Sequence, residues 1–312
     1  MGKLLVYHRG GLGDLVLSLP AVLRVGAGAR GERVFWGPSD RLKLLPGFGP
    51  APAELLRRGH ELWGDAPSEA VLRTLAGFDQ VVAFGGRRPP EWLRHAGARS
   101  LGVASFPPPA GPWVPRFQAL QLDQAGVPRP RVPLLRRWRA QALPHRAPRS
   151  LVVHTGSGDP KKSFPLGFWA EVCGELSQAL SLPVRVILGP IEVERGAAGW
   201  GAVGEVRVCE TIPDLLQVLG DAALYLGNDA GPTHLAGALG VPTVAAFGPT
   251  DPRLWRPLGG RVHVVTAAAA CAPCATGGAI ACAEPVCLAA LDPARAFQAG
   301  LALVTGGSTA PM

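Results

Sequence analysis

The sequence lacks a long apolar run, since no stretch approaches the roughly 18 uninterrupted apolar residues that a membrane-spanning helix needs. Its opening residues, MGKLLVYHRG, also lack a signal-peptide pattern, because they lead into a glycine-rich turn and not into a cleavage site. We therefore expect a protein that is neither secreted nor membrane-spanning.

Glycine and proline are too few to indicate a disordered, low-complexity chain. The 312 residues include 41 Gly and 32 Pro, while 47% are apolar. The length is about twice the roughly 150 residues of a typical domain. Composition and length together predict two folded domains, each with its own core.

Acidic residues are scarce in the first half only. Residues 1–150 contain 22 Lys and Arg against 10 Asp and Glu, a net charge of +12. Residues 151–312 contain the remaining 9 basic and 13 acidic residues, a net charge of −4, and the two halves sum to +8. Two interpretations stay open: the first half attracts an anionic partner, or it carries a solvated, arginine-rich surface.

The six cysteines are unevenly spaced. Cys173 and Cys209 lie in apolar segments, so we expect both to be buried. The other four fall within 17 positions in the pattern C-x2-C-x7-C-x4-C: Cys271, Cys274, Cys282 and Cys287. This spacing allows a zinc site with four thiolate ligands, but the segment lacks the charged or aromatic frame of a zinc ribbon, which favours reduced thiols that pack a loop. We predict no metal.

Short apolar runs alternate with helical patterns in both halves of the chain. The predicted strands are residues 4–7, 34–36, 81–84, 101–104, 151–154, 184–188, 223–226 and 243–247. The predicted helices are residues 15–25, 54–63, 68–78, 166–180, 212–219 (with Thr211 as N-cap) and 232–239. This alternation predicts the α/β class, with one doubly wound parallel sheet in each half.

A proline- and arginine-rich segment separates the two halves. Residues 127–149 contain five prolines and no sustained period, which is typical of a linker. We place the domain boundary here, with one domain at 1–149 and the second at 150–312.

The first glycine-rich loop, RGGLGD, covers residues 9–14. It lacks the last glycine of a GxGxxG fingerprint, and the next predicted strand is followed by Gly37 and Pro38 instead of an acidic residue, so a nicotinamide site is disfavoured. Asp14 lies at the start of a predicted helix. The loop taken alone allows either a functional carboxylate or a helix-capping one.

The second loop, HTGSGDPKKSFP, covers residues 154–165 and follows a predicted strand. Thr155, Gly156 and Ser157 are small enough for a ligand to approach the backbone. Lys162 offers a point positive charge that suits phosphate, although the spacing is not that of a Walker A loop. A solvent-exposed lysine pair in a turn is the alternative.

The third loop begins the stretch at residues 227–252, GNDAGPTHLAGALGVPTVAAFGPTDP. A helix beginning at Pro232 would direct its N-terminal N–H groups toward whatever lies over Ala230 and Gly231, which is an anion site by geometry. Asp229 and His234 flank that position.

Together the three loops resemble glycosyltransferase family 9, the ADP-heptose:lipopolysaccharide heptosyltransferases. The similarity keeps the order and spacing of the blocks and runs from the first strand to about residue 290. It implies a GT-B architecture, in which two Rossmann-like domains face a cleft. In that arrangement residues 1–149 bind the acceptor and residues 150–312 bind the nucleotide-sugar donor. It also implies inverting transfer without a metal or other cofactor.

The resemblance also implies roles for single residues. Asp14 matches the general base, Lys162 the diphosphate-binding lysine and Asp229 the carboxylate that holds the donor sugar. Glu192 is a looser match to the acidic residue that holds the ribose, with Glu194 as the alternative. Ala230 departs from the family, which often has Ser or Thr there. The expected catalytic residues are Asp14 and Lys162, and the expected donor-binding residues are Gly11, Leu12, Gly13, Thr155, Gly156, Ser157, Lys162, Glu192, Asp229, Ala230, Gly231 and His234.

Two other functions are compatible with parts of the sequence. A nucleotide-sugar epimerase would use the same architecture, but the KKSFP and NDAGPTHLAGALG blocks favour the transferase. A nucleic-acid binder is suggested by the pI of about 9.7, but no recognisable module interleaves aromatic and basic residues.

The expected partners are a nucleotide-sugar donor, ADP-heptose by resemblance, and a phosphorylated glycolipid acceptor, without nucleic acid. We expect a cytoplasmic protein that associates peripherally with the anionic inner face of the inner membrane. The arginines expected to contact that surface are Arg57, Arg58, Arg87, Arg88 and Arg94.

Overall fold

A computed structural model of the chain describes residues 2–58, 67–85, 92–93, 99–142, 147–196, 199–275, 280 and 282–306. The chain divides into two compact units, Met1–Trp138 and Arg139–Met312, here called the first and the second unit. Of the arginines expected to face a membrane, Arg87, Arg88 and Arg94 lie outside the described residues.

The described part of the first unit forms a five-stranded sheet. Its strands are β1 (Leu4–His8), β2 (Arg33–Trp36), β3 (Gly49–Pro50), β4 (Gln80–Gly85) and β5 (Arg99–Ala104). Their order is β3-β2-β1-β4-β5, and every pairing is parallel. The central strand β1 is buried along its whole length, as expected for a parallel sheet covered on both faces.

Helices connect these strands. They are α1 (Leu12–Gly28), α2 (Ala53–Arg58), α3 (Glu69–Ala76), α4 (Val114–Gln124) and α5 (Leu134–Ala142), of which the last crosses the division between the units. The helix predicted at residues 54–63 is seen as far as Arg58, and its remainder lies outside the described residues.

The second unit repeats this plan with one more strand. Among its described residues the strands are β6 (Ser150–His154), β7 (Val184–Leu188), β8 (Glu205–Val208), β9 (Ala222–Asn228), β10 (Thr243–Phe247) and β11 (Val262–Thr266). The order is β11-β10-β9-β6-β7-β8, again with parallel pairings throughout.

Seven further helices are described in the second unit. The first, α6, has the bounds predicted from the sequence, residues 166–180. The seven are α6 (Leu166–Leu180), α7 (Pro190–Arg195), α8 (Ile212–Gly220), α9 (Gly231–Leu239), α10 (Pro252–Trp255), α11 (Val286–Ala289) and α12 (Pro293–Thr305). The predicted N-cap of α8 is confirmed, because the Thr211 side chain accepts from the backbone N–H of Asp214. Each predicted strand coincides with an observed one to within two residues at either end.

Both sheets have the strand order of a Rossmann fold. In each, the chain moves outward from a central strand, then crosses back and builds the other side, so the direction of winding reverses between β1 and β4 and between β6 and β9. Ligands of open parallel sheets bind beyond the carboxyl ends of the strands at such reversal points.

The middle of the segment interpreted as a linker, residues 127–149, forms a helix that was not predicted from the sequence. Residues 134–142 form helix α5, and Trp138 is buried with its indole N–H donating to the carbonyl of Leu44 at 2.6 Å. The flanking prolines masked the helical pattern, and only the tertiary contact of Trp138 shows which face is apolar.

Candidate functional site

The second and third loops predicted from the sequence leave neighbouring strands. Loop 155–165 follows β6 and loop 229–230 follows β9, and these strands pair in parallel, with His154 opposite Gly227. The two loops therefore meet at the reversal point of the second sheet, which is where a ligand is expected.

Asn228 joins the two loops. It is fully buried, and its side-chain amide donates to the carbonyls of Thr155 at 2.7 Å and Gly156 at 3.3 Å. Its carbonyl oxygen accepts from the backbone N–H of Phe164 and from the indole N–H of Trp169. One side chain thus fixes the shape of the glycine-containing loop, and the sequence analysis had not singled it out.

Asp229 is the centre of a buried charged cluster. One carboxylate oxygen lies 3.2 Å from Lys162 Nζ and accepts from the Thr250 hydroxyl at 2.8 Å, and the other lies 3.2 Å from His234 Nε2. Burial raises the pKa of Asp229, but the hydrogen bond from His234 and the charge of Lys162 outweigh it and hold that pKa well below its usual range. Asp229 is therefore a fixed anion. We call Lys162, Asp229, His234 and Thr250 the Asp229 cluster.

Helix α9 begins directly after this cluster. Ala230 is its N-cap residue and has no side-chain capping bond, so its departure from Ser or Thr leaves the first turn without that acceptor. Gly231 is the first helical residue, one position before the predicted start at Pro232. Asp229 directly precedes the N-cap residue, and its partner His234 lies in the first turn of α9. The cluster therefore stands at the helix end that carries the unpaired N–H groups and the partial positive charge.

Glu192 lies over the second loop. Its carboxylate accepts from the backbone N–H of Gly189 at 2.9 Å and lies 3.5 Å from His154 Nε2. Burial raises the pKa of Glu192, but hydrogen bonding and charge from His154 reverse the shift and lower it. A Cβ atom on Gly156 would lie 1.8 Å from Glu192 Oε1, so any other residue there would displace the Glu192 side chain. Glu194, the alternative, is exposed.

The second loop is also braced from outside. Arg195 donates to the carbonyls of Ser157 at 2.9 Å and Gly158 at 3.2 Å, and the Ser157 hydroxyl donates to the Asp229 carbonyl at 3.3 Å. Within the described residues, three buried side-chain atoms of this region have no hydrogen-bond partner in the protein: His154 Nδ1, Thr155 Oγ1 and His234 Nδ1.

The predicted site residues divide between the two units, and the larger subset lies together in the second unit. At the reversal point of the second sheet lie Thr155, Gly156, Ser157, Lys162, Glu192, Asp229, Ala230, Gly231 and His234. Gly11, Leu12, Gly13 and Asp14 belong to the first unit. Four residues of this region were not predicted from the sequence: Asn228, Thr250, His154 and Arg195. The first three stand within the quoted motifs, and that position is the signal that could have found them.

Asp14 caps helix α1 as its third residue. Its Oδ2 accepts from the backbone N–H of Gly11 at 2.8 Å, and the side chain is half-buried. The loop that carries it follows β1 at the reversal point of the first sheet. The capping bond and a catalytic role are compatible, because a carboxylate has several lone pairs.

The four clustered cysteines differ in exposure: Cys287 is buried, Cys282 is half-buried, and Cys271 and Cys274 are exposed. Cys173 and Cys209 are buried, as predicted. Cys274 donates its backbone N–H to the carbonyl of Pro249, and Lys161 Nζ donates to the Ile280 carbonyl. No three His, Cys, Asp or Glu side chains of the described residues form a group that could hold a metal ion.

Comparison with known proteins identifies the family. The model of glycosyltransferase family 9 (heptosyltransferase) matches residues 110–281, more than half of the chain. The chain belongs to glycosyltransferase family 9. This confirms the resemblance inferred from the three loops and makes the protein a glycosyltransferase of the heptosyltransferase family.

A curated relative of this glycosyltransferase is lipopolysaccharide heptosyltransferase 1 of Pseudomonas aeruginosa, which is 25% identical and aligns over 87% of this chain and 86% of its own length. The solved structures that share the fold of this chain include the following two. One is a family 9 glycosyltransferase of Veillonella parvula, with a TM-score of 0.71, 15% identity and 98% of both chains covered.

The second solved structure is the ADP-heptose lipopolysaccharide heptosyltransferase II of Escherichia coli. It has a TM-score of 0.64 and 20% identity, and the match covers 97% of this chain and 99% of the other. These likenesses confirm the predicted fold class, an α/β protein with two Rossmann-like parallel sheets, as in GT-B glycosyltransferases. No helix within the described ranges combines the length and apolarity that crossing a membrane requires.

Proposed function

We propose that this glycosyltransferase moves a heptose from a nucleotide-diphosphate donor, ADP-heptose, to a lipopolysaccharide-core acceptor, with inversion and without a metal. The relatives named above supply the donor and acceptor classes. The single observation that carries the proposal is the Asp229 cluster at the first turn of α9, where a lysine and a helix N-terminus adjoin a fixed carboxylate.

The chemistry requires two kinds of group. The acceptor hydroxyl oxygen attacks the anomeric carbon, its proton passes to Asp14, and the bond from that carbon to the phosphate oxygen breaks with its electron pair on the departing diphosphate. Positive groups must stabilise the charge that grows on that diphosphate. Lys162 and the N–H groups of α9 supply them from the protein itself.

The remaining residues hold the donor. Asp229, kept ionised by its neighbours, accepts hydrogen bonds from sugar hydroxyls, and Glu192 does the same for the ribose over Gly156. The buried, unpartnered atoms of His154, Thr155 and His234 favour a polar ligand, because such atoms are costly when left unsatisfied.

A combined binding and product experiment tests the proposal. Thermal shifts with ADP, UDP, GDP and their sugars select the donor, since a ligand at 100 times its Kd stabilises the protein by about 2.7 kcal/mol. Incubation with ADP-heptose and a heptose-deficient lipopolysaccharide core, in the presence of EDTA, is expected to yield a heptosylated core of inverted anomeric configuration by NMR. An epimerised sugar formed without acceptor, or transfer that requires added metal, contradicts the proposal.

Peripheral membrane contact is part of the same proposal. Arg57 and Arg58 each pair with Glu54, so their charge is partly balanced locally. The connecting segment before and within α5 offers a stronger candidate surface, because no acidic residue occurs between Gln124 and Gly158. Arg131, Arg136 and Arg137 are exposed there.

A further inference from the structure

His8 ends strand β1 and lies beneath the RGGLGD loop. The residue is 2% exposed, and its ring lies 5.6 Å from that of Phe84. Its Nδ1 accepts from the backbone N–H of Gly10 at 3.3 Å, and its Nε2 lies 3.2 Å from the Ser18 hydroxyl of helix α1. The imidazole thus connects the loop to the helix that follows it.

These contacts determine the state of the ring. A backbone N–H is only a donor, so Nδ1 must be an acceptor and the proton must lie on Nε2. Burial, together with the charge of Arg41, lowers the pKa of His8 to about 4, so the ring is neutral at physiological pH and keeps Nδ1 free of a proton.

One further side chain holds the loop and another holds the helix that follows it. Arg41 donates to the Gly10 carbonyl at 3.2 Å. Gln118, which is fully buried, donates to the Ser18 hydroxyl at 3.0 Å and to the Ser105 carbonyl at 3.1 Å. A Cβ atom on Gly10 would lie 2.9 Å from His8 Cε1, which shows how closely loop and ring approach.

We propose that His8 is a positioning residue that fixes the RGGLGD loop and thereby sets the position of the Asp14 carboxylate. The ring bonds to Gly10 within the turn and to Ser18, one helical turn after Asp14, and Asp14 Oδ2 is itself tied to Gly11 within that turn. Misplacement of a reacting group by about 1 Å can cost 10²-fold in rate. The inference rests on the proposed role of Asp14 as the base.

Three variants test it. His8→Phe keeps a ring against Phe84 and removes both nitrogen atoms. His8→Asn keeps an acceptor near Nδ1 for Gly10 and lacks the reach to Ser18. His263→Phe, on strand β11 of the second unit, is the matched control. Each is assayed for kcat, for the KM of ADP-heptose and for ADP affinity by calorimetry.

We expect His8→Phe to lower kcat by roughly 10- to 100-fold while the donor KM and ADP affinity change by less than about twofold. His8→Asn is expected to recover part of that loss, and His263→Phe to match the unaltered protein. In an Asp14→Asn background, His8→Phe should cause no further loss, because it acts through Asp14.

Several outcomes would overturn the inference. These are an unchanged kcat in His8→Phe, an equal loss in both His8 variants accompanied by weaker ADP binding, or fully additive losses in the double variant. Amide hydrogen exchange of residues 10–15 gives a readout that needs no activity, and His8→Phe should accelerate it. Faster exchange with no transferase activity in any variant contradicts the proposed function but not the loop contact, whereas unchanged exchange contradicts the inference.

Discussion

At the scale of single residues, Asp14 combines a structural role with a proposed catalytic one. Its carboxylate caps α1 through Gly11, and it is also our candidate base. Asparagine preserves an acceptor for the Gly11 N–H but has no useful basicity, whereas alanine removes both.

The first prediction follows from that difference. Asp14→Asn should lower kcat by about 10²- to 10⁴-fold with near-normal donor affinity and melting temperature. Asp14→Ala should lower kcat as much and also destabilise the first unit by about 0.5–2 kcal/mol. Steady-state kinetics and thermal unfolding measure the two effects, and wild-type turnover in a folded Asp14→Asn protein would remove Asp14 as the base.

Lys162 and Lys161 are adjacent lysines with different surroundings. Lys162 pairs with buried Asp229, whereas Lys161 donates to the backbone carbonyl of Ile280. Only the first belongs to the Asp229 cluster, so the second is a control of equal charge.

The second prediction is that Lys162→Ala weakens ADP binding by roughly 10- to 100-fold. This loss corresponds to the about 1.5–3 kcal/mol that a hydrogen bond to a charged group contributes. Adenosine affinity should hardly change, because it has no phosphate. Calorimetry with both ligands on Lys162→Ala and Lys161→Ala is the measurement. Unchanged ADP affinity in Lys162→Ala would place the diphosphate elsewhere.

At the scale of elements, loop 155–165 derives its shape from contacts with its neighbours. Asn228 on β9, Arg195 on α7 and the close approach of Glu192 hold a backbone that has few large side chains of its own. The loop includes two glycines, and they differ in their surroundings. A Cβ atom at Gly156 would collide with Glu192, whereas nothing lies within 4 Å of one at Gly158.

The third prediction uses this pair. Gly156→Ala should displace the Glu192 carboxylate, destabilise the protein by about 1–3 kcal/mol and weaken adenosine as well as ADP binding. Gly158→Ala should change neither property measurably. The comparison is made by thermal unfolding and calorimetry, and identical behaviour of the two variants would mean that Glu192 has no part in holding the ribose.

At the scale of the whole molecule, the buried neutral state of His8 makes stability depend on pH. The pKa of His8 is about 4 in the folded protein and near 6.5 when unfolded, so the unfolded state binds more protons between those values. The free energy of unfolding is therefore independent of His8 protonation above pH 6.5 and decreases as the pH falls from 6.5 toward 4.

The fourth prediction is that this residue accounts for a loss of roughly 2–3 kcal/mol in unfolding free energy between pH 7.5 and 4.5. His8→Phe should show a correspondingly flatter dependence over that interval. Urea unfolding of the full chain at several pH values measures the difference. Parallel curves for both proteins would show that His8 is not buried neutral.

The charge division also acts at the scale of the molecule, since residues 1–150 carry a net charge of +12 and the rest −4. Exposed arginines on α5 continue this excess to the end of the first unit. Attraction to an anionic surface through such groups is screened beyond a Debye length of roughly 10 Å at 0.1 M salt.

The fifth prediction is that the protein cosediments with anionic vesicles at low salt and dissociates from them at high salt. It should not bind neutral vesicles. Arg136→Glu should weaken this binding more than Arg207→Glu on the edge strand β8. Donor affinity should depend far less on salt. Equal binding to both vesicle types, or to neither, contradicts membrane attraction through the first half.

The sequence alone determined the class of fold and the family. Hydrophobic runs alternating with helical patterns are local properties, so predicted strands and α6 match the structure closely. The three glycine-containing loops also stand in the sequence as contiguous motifs, which is why Asp14, Lys162 and Asp229 could be singled out. The helix α5 was obscured because its neighbours are prolines, and propensity is a local signal that tertiary contacts override.

Only the tertiary structure decided which of these residues act together. Lys162 and Asp229 are 67 positions apart and meet because β6 and β9 pair in parallel at the reversal point of the sheet. The roles of Asn228 and His8 follow from what their amide and imidazole atoms contact at 2.7–3.3 Å. The contacts of Asn228 join residues 73 positions apart, and neither set of contacts leaves a periodic trace in the sequence. Chain topology, rather than local propensity, brings these groups together, because strand order determines which loops share one edge of a sheet.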